Sequence, residues 1–399
     1  MQTFFILGSH PDLAKAEILS VVGLNSKILL ESSTVLVLEH VEMPLEDLQN
    51  RLGGTIKIGV ILDEYLGSDA RACANATVGK ASEATGKNKI TFGFSAYDLG
   101  NPKAVQRIAR SFKTLGGEIK NALRETDRPV RFVMAKEDAL TSVVVETNGL
   151  NESGGEFCMF ATQTSIILGR TSTVQDFKAW SDRDFGRPAR DSRSGMLPPK
   201  LARMMINLSG ANPSSSTILD PFCGSGTIPM EAALMGFKHI IGSDISEKAI
   251  KDSNTNTDWL YANVSRIRPI GPISKKNDIF FRVSDAKNIG SWLTEPVDAI
   301  VAETYLGPPK HGWDRPALEA LKAELMKMYR DSLAALSKKL KSDGTIVIAF
   351  PAFVVKNEVI KLPLKKAIED AGLMIDATWI YKRPDQMTAR EIVRMKKTR

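Results

Sequence analysis

The stretch Asp220-Pro-Phe-Cys-Gly-Ser-Gly-Thr227 decides the fold. Residues 217–219, Thr-Ile-Leu, lead into it as a short strand that ends on a carboxylate. Gly224 and Gly226 let the backbone turn tightly and come close to a ligand. A helix expected over 228–235 starts directly after Thr227, so its N-terminus faces that ligand. Two glycines alone say little, and the carboxylates that follow say more. Asp244 closes a second strand, His239–Asp244, about 20 residues on, where a carboxylate can bind ribose hydroxyls. Asp285 closes a third, over 279–284, where it can accept an adenine amino proton. No complete Gly-x-Gly-x-x-Gly and no Walker lysine accompanies the turn, so phosphate cradles for NAD or ATP fit poorly.

Downstream the alternation continues. Strands are expected at 297–303, 345–350 and 373–381, with helices at 247–259, 316–340 and 356–371. Alternating strands and helices imply a parallel sheet covered on both faces. The strand at 373–381, followed by 382–387 and 389–395, reads as a hairpin closing the C-terminal edge. Upstream the texture differs. Strands at 2–7, 34–38 and 56–62 with helices at 11–22 and 45–52 make a small α+β module. A second module has strands at 89–95, 130–133, 142–146, 156–162 and 165–169 and a long amphipathic helix over 102–124. That helix carries Lys103, Arg107, Arg110, Lys113, Lys120 and Arg124, which reads either as a phosphate-facing stripe or as a solvated helix face. Residues 176–199 are dense in Arg, Asp, Gly and Pro, as in a linker or an arm packed on a neighbouring domain. Arg183, Arg187, Arg190 and Arg193 there could meet phosphates, with Asp182, Asp184 and Asp191 able to neutralise them. A helix over 200–208 leads into the third region.

Composition narrows the class. A 399-residue chain suggests two or three domains. It is 43% hydrophobic and 25% charged, which argues against disorder, and no run of about 18 apolar residues exists to span a membrane. Three cysteines, Cys73, Cys158 and Cys223, cannot all pair, so a reducing, cytoplasmic setting is expected. The net charge of +7 permits a polyanionic partner.

DPFCGSGT, GSDIS and SDA together resemble the cofactor half of a class I S-adenosylmethionine-dependent methyltransferase. More narrowly, FGFSAYDL, SVVVETNGL, LGRTSTVQDFKAWSDRDFGRPARD and GMLPPKLARMMINL resemble the THUMP-containing tRNA guanine-N2 methyltransferases. The resemblance implies a ferredoxin-like domain over 1–65, a THUMP-like RNA-binding domain over 66–175, a linker arm over 176–199 and a Rossmann-like catalytic domain over 200–399. It implies tRNA as substrate and an exocyclic guanine amine as acceptor, and leaves open whether a small activator subunit is a further partner. It places Asp220, Gly224 and Gly226 around the methionine end, Asp244 on the ribose and Asp285 near the adenine. Phe222, Thr227, Ile245 and Ala286 complete the expected cofactor contacts.

One motif departs from the family. Asp-Pro-Pro-Tyr is expected after the fourth strand, and this chain has Glu303-Thr304-Tyr305-Leu306-Gly307-Pro308-Pro309. A carboxylate still suits guanine, whose Watson–Crick edge presents two neighbouring donors to an acceptor-only group. Glu303 would then hold the amine with the Thr304 carbonyl, and Tyr305 would stack on a flipped base. His311 is a candidate base and Trp313 a candidate stacking residue, each also readable as an ordinary loop or packing residue. Cys223 is read as packing beneath the turn rather than as a nucleophile. Two other classes fit the same residues: an RNA-binding protein with a degenerate catalytic domain, and a methyltransferase of DNA or protein.

Overall fold

The computed structural model describes residues 1–398 other than 24, 68, 83–88, 125–127, 152–153, 191–195, 268–271, 309–314, 356–357 and 384–385. The chain divides into two units, Met1–Asn50 with Gly54–Phe177, and Arg51–Gly53 with Lys178–Arg399. No helix of the described residues is long and apolar enough to cross a membrane.

In the first unit the strands are β1 (Gln2–Leu7), β2 (Lys27–Glu31), β3 (Val35–Glu39), β4 (Thr55–Leu66), β5 (Ile90–Asp98), β6 (Val130–Val133), β7 (Gly154–Ala161) and β8 (Ser165–Val174). The helices are α1 (Pro11–Val22), α2 (Leu45–Arg51), α3 (Ala70–Ser82), α4 (Pro102–Arg124) and α5 (Ser142–Thr147). One eight-stranded sheet runs β2-β3-β1-β4-β8-β7-β5-β6. The module boundary expected at 65/66 lies at the end of β4, which pairs with β1 on one side and β8 on the other. Phe4 packs across this seam, its ring centroid 4.8 Å from that of Phe160. A Cβ on Gly59 of β4 would fall 2.2 Å from the Arg170 carbonyl of β8 and 2.4 Å from the Phe4 ring, which is why that position carries no side chain.

Beside the seam lies a buried ion pair. Lys57 Nζ is 2.5 Å from Glu156 Oε1, 2.5 Å from the Leu140 carbonyl and 3.0 Å from the Tyr97 hydroxyl. Ser95 and Thr171 hydroxyls donate to the same carboxylate. A buried pair is tolerable when its remaining hydrogen-bonding capacity is used in this way.

Two elements differ from expectation. Residues 142–146 form the helix α5, not a strand. The Thr141 hydroxyl caps it by accepting from Val144 N at 3.3 Å, and Val145 is buried with Val133, Leu140 and Leu150. Cap and burial override the strand preference of consecutive valines. Residues 356–371 are not one helix. Glu358–Ile360 pairs with the preceding strand, and a helix covers only Lys365–Asp370. Pro363 disfavours helical backbone in the residue before it, which separates the two.

The second unit contains α6 (Phe177–Phe185), α7 (Pro199–Leu208), β9 (Thr217–Asp220), α8 (Thr227–Leu234), β10 (His239–Asp244), α9 (Glu247–Ala262), α10 (Val264–Ile267), β11 (Ile279–Val283), β12 (Val297–Glu303), α11 (Arg315–Lys338), β13 (Leu340–Val355), β14 (Glu358–Ile360), α12 (Lys365–Asp370), β15 (Leu373–Tyr381) and β16 (Thr388–Lys397). Its main sheet runs β11-β10-β9-β12-β13-β16-β15. The first five strands are parallel, and β16 is antiparallel to both neighbours. Leu325, Tyr329, Leu333 and Leu336 recur at helical spacing along α11 and share a core with Ile300, Ile346 and Ile348 of the sheet. Each such side chain contributes about 1.5–3 kcal/mol on burial. The strand order reverses between β9 and β12, and that switch point opens the crevice where ligands bind in such sheets.

All five tryptophans, Trp180, Trp259, Trp292, Trp313 and Trp379, lie in the second unit's part of the chain. Indole fluorescence therefore follows that unit, and far-UV circular dichroism follows both. Lys57→Met strands the Glu156 carboxylate and should destabilise the first unit by about 3–5 kcal/mol. In urea the dichroism transition should split, with the fluorescence midpoint in place. Unchanged curves would remove the structural role of the pair.

Candidate active site

At the switch point lies a pocket of about 560 Å³. Every cofactor or catalytic residue expected from the sequence except Gly226 lines it: Asp220, Phe222, Gly224, Thr227, Asp244, Ile245, Asp285, Ala286, Glu303, Thr304 and Tyr305. Gly226 is the residue before α8, with φ +86°, and a Cβ there would sit 3.0 Å from the Ser253 hydroxyl.

Local hydrogen bonds explain the turn. Asp244 Oδ2 accepts from Gly224 N at 3.0 Å and Oδ1 from Ser246 N at 2.9 Å, so the end of β10 holds the glycine turn after β9. Ser253 donates to the Gly224 carbonyl at 2.8 Å. Asp220 is buried and accepts from Phe222 N at 3.1 Å. Burial pushes its carboxyl well above the usual carboxylate range despite that bond, and the charges of Asp244 and Glu303 add to the effect. Asp285 caps a 3₁₀ turn by accepting from Lys287 N at 3.1 Å. Cys223 is buried in the turn and burial raises its thiol well above the usual range, in keeping with a packing role.

The loop after β12 is held from behind. Thr304 Oγ1 lies 3.2 Å from both the Tyr329 hydroxyl and the Ala349 carbonyl. Tyr329 donates to the Tyr305 carbonyl at 2.7 Å, which leaves the Tyr305 ring 50% exposed at the pocket. Glu303 pairs with Arg390 of β16, a residue the sequence reading missed. Arg390 Nη1 also donates to Gln386 at 3.3 Å. Burial raises the Glu303 carboxyl, and Arg390 opposes that rise.

The arginine-rich arm does not offer its described arginines uniformly to phosphates. Arg183 and Arg187 are buried, and only Arg190 is exposed. Arg183 and Arg203 lie 3.2 and 2.7 Å from the buried Glu231 of α8, with the Trp180 ring against both guanidinium groups. Arg187 donates to Thr227 Oγ1 at 2.6 Å. Asn256, also unforeseen, donates to the carbonyls of Ala189 and Ser225 at 2.8 and 2.9 Å and so ties the arm to the glycine turn. Ionic and amide partners inside the unit, not solvent, explain the density of charge in that segment. Asp191, Arg193, His311 and Trp313 lie outside the described residues.

The residues fit S-adenosylmethionine. Gly224 has φ +52° and open space where a Cβ would stand, so a ligand can reach its backbone. Both Asp244 oxygens keep a lone pair for ribose hydroxyls after their backbone bonds. Asp244→Ala should weaken S-adenosylmethionine binding by about 1.5–3 kcal/mol in titration calorimetry, the range for hydrogen bonds to a charged group. Unchanged affinity in a folded variant would show that Asp244 serves the turn alone.

Residues 187–379 match the UPF0020 family, the RMKL-like methyltransferase domain. The tRNA (guanine(10)-N2)-dimethyltransferase of Methanothermobacter thermautotrophicus is 33% identical over 160 residues, 40% of this chain and 40% of that one. The protein of the same name from Pyrococcus abyssi is 26% identical over 347 residues, 87% of each chain. Among solved structures, TrmN from Thermus thermophilus has a TM-score of 0.54 at 18% identity, with 100% of both chains covered, which bears on the fold. Residues 187–379 are thus similar to the RMKL-like methyltransferase domain, and the chain shares the fold of TrmN.

Proposed function

We propose that the protein transfers a methyl group from S-adenosylmethionine to the exocyclic 2-amino group of a guanosine in tRNA. The charge of the pocket carries this reading. Asp220, Asp244, Asp252, Asp285 and Glu303 line it, and Lys248 is the one lysine among its lining residues, 2.5 Å from Asp252. Such a wall repels polyphosphates and suits a ligand with a sulfonium and an ammonium group. The names of the two relatives above support the guanine amine as acceptor and tRNA as its carrier.

The bound cofactor supplies an electrophilic methyl group. The chain supplies position and charge, the main catalytic terms in such a transfer. Asp220, Gly224 and Thr227 surround the methionine end with Gly226 shaping the turn, Asp244 takes the ribose, and Asp285 takes the adenine amine. Phe222, Ile245 and Ala286 give the adenosine apolar contacts, and Ile245 is 71% exposed without one. Glu303 accepts from the guanine amine, the Thr304 carbonyl assists, and the Tyr305 ring stacks on the flipped base.

The tRNA body needs a basic face. On α4, Lys103, Arg107, Arg110, Lys113 and Arg124 are exposed, and among the described residues no carboxylate pairs with them. Lys120 is half-buried on the same helix. We assign this stripe to phosphates and the THUMP-like role to the region around it. A small activator subunit has an open edge at β11, where Phe280 and Val283 are 50% and 44% exposed. A tRNA substrate places the work in the cytoplasm.

A binding-only domain is the rival reading, and the Glu303–Arg390 pair favours it by occupying part of the acceptor. Kinetics separates the two. Glu303→Gln replaces one acceptor with a donor that faces a donor, so kcat for methyl transfer to tRNA should fall strongly with cofactor affinity nearly intact. Glu303→Asp should keep measurable turnover. Transfer that survives Glu303→Gln unchanged would take Glu303 out of the chemistry. For RNA, changing Arg107, Arg110 and Lys113 to Glu should weaken tRNA binding and lower the salt slope by about 2–3, near one per lost phosphate contact. An unaltered slope would move the docking face elsewhere.

A further inference from the structure

Glu303 stands where the resemblance implies a shorter carboxylate, and its surroundings in the sheet are specific. Its side chain is 14% exposed and lines the pocket at the end of β12. Arg390 comes from β16, two strands away across β13, and is 3% exposed. In the β13–β16 ladder Arg390 stands opposite Pro351, just past Phe350 and Ala349, and Ala349 stands opposite Glu303 in the β12–β13 ladder. The sheet register therefore brings the two ends together. Arg390 Nε donates to Glu303 Oε1, and Arg390 Nη1 donates to Gln386 Oε1 at 3.3 Å, so the guanidinium is braced from a second side.

We infer that Arg390 is the positioning residue that keeps Glu303 an anion and presents its other oxygen to the substrate amine. This rests on the reading of Glu303 as the amine's acceptor. The charged neighbours define the problem. Arg390 pairs with Glu303 from β16, Asp220 of β9 and Asp244 of β10 line the same pocket, and Tyr305 follows Glu303 in the loop. The neighbouring Glu391 is engaged elsewhere, 2.8 Å from Lys361. Carboxylates that share a pocket resist ionising together without a cation. Among the described residues Asp220 has a backbone N–H and no guanidinium, while Glu303 has the guanidinium. Arg390 thus decides which of the two carries the charge. The distinction matters for the chemistry, because protonated Glu303 would turn an O–H donor towards an amine that is itself a donor. Only the anion can hold the amine with its lone pair free for the methyl group.

The test is the pH dependence of methyl transfer. In Arg390→Met the acid limb of kcat should move up by about 1–3 pH units, the effect of one nearby opposite charge. Turnover at neutral pH should fall by roughly 10-fold or more and recover at higher pH, with affinity for S-adenosylhomocysteine and KM for tRNA little changed. Arg390→Lys keeps the charge and should keep the limb in place. Arg390→Gln keeps a donor without charge, serves if the methionine variant folds poorly, and should still move the limb upward. Infrared difference spectra give a second readout: a protonated carboxyl band should appear in Arg390→Gln at neutral pH and vanish in Arg390→Gln/Glu303→Gln. A loss of activity uniform in pH, or no such band, would overturn the positioning role. If Glu303→Gln is itself fully active, the acceptor reading fails instead, and the two failures are distinguishable.

Discussion

Asp220, Asp244 and Glu303 end three strands of one sheet, β9, β10 and β12, and the rest of the second unit is arranged around keeping that much negative charge inside a folded protein. Each is accommodated differently. Asp244 spends its charge on two backbone N–H groups and in doing so shapes the glycine turn. Glu303 takes a guanidinium. Asp220 takes one backbone N–H and has its carboxyl raised by burial. A cationic cofactor relieves the same tension, since a sulfonium in the pocket stabilises ionised acids that burial disfavours. Binding and charge accommodation are thus one arrangement.

Behind the wall the signs reverse. Arg183, Arg187 and Arg203 lie around Glu231 and Thr227 of α8, with Trp180 against two of them. Burying these guanidinium groups costs several kcal/mol each unless they are paired and hydrogen-bonded. Their pairing to α8 and the Asn256 bridge make the segment around 187–190 part of the pocket's frame. In the first unit the cations of α4, the face proposed for phosphates, lie on the exposed side of a helix whose other side buries Ile108, Phe112, Leu115 and Ile119.

Much of the catalytic unit was legible because its signals are local. A strand ending on Asp220, two glycines and a helix start lie within a dozen residues, Asp244 and Glu303 each close a strand of ordinary pattern, and Asp285 follows the end of β11 by two residues. Residues set by register were not legible. Arg390 is 87 positions from Glu303, and Asn256 is 67 from Ala189; nothing near either residue in the chain announces the pairing. The segment 176–199 reads as a linker or as an arm packed on a neighbouring domain, because its density of charge, glycine and proline hides both α6 and the pairing of Arg183 with the distant Glu231. The seam between β4 and β8 was hidden for a related reason. Gly59 looks like a loose point in a strand until Phe4 is seen to need its space.

The most direct test of the account is the chemical identity of the product. Purified protein, S-adenosylmethionine with a labelled methyl group and unmodified tRNA should give label in tRNA, and mass spectrometry of the digested nucleosides should find it on the 2-amino group of guanosine. Label on another nucleoside, on protein or DNA, or none at all with cofactor bound, would contradict it.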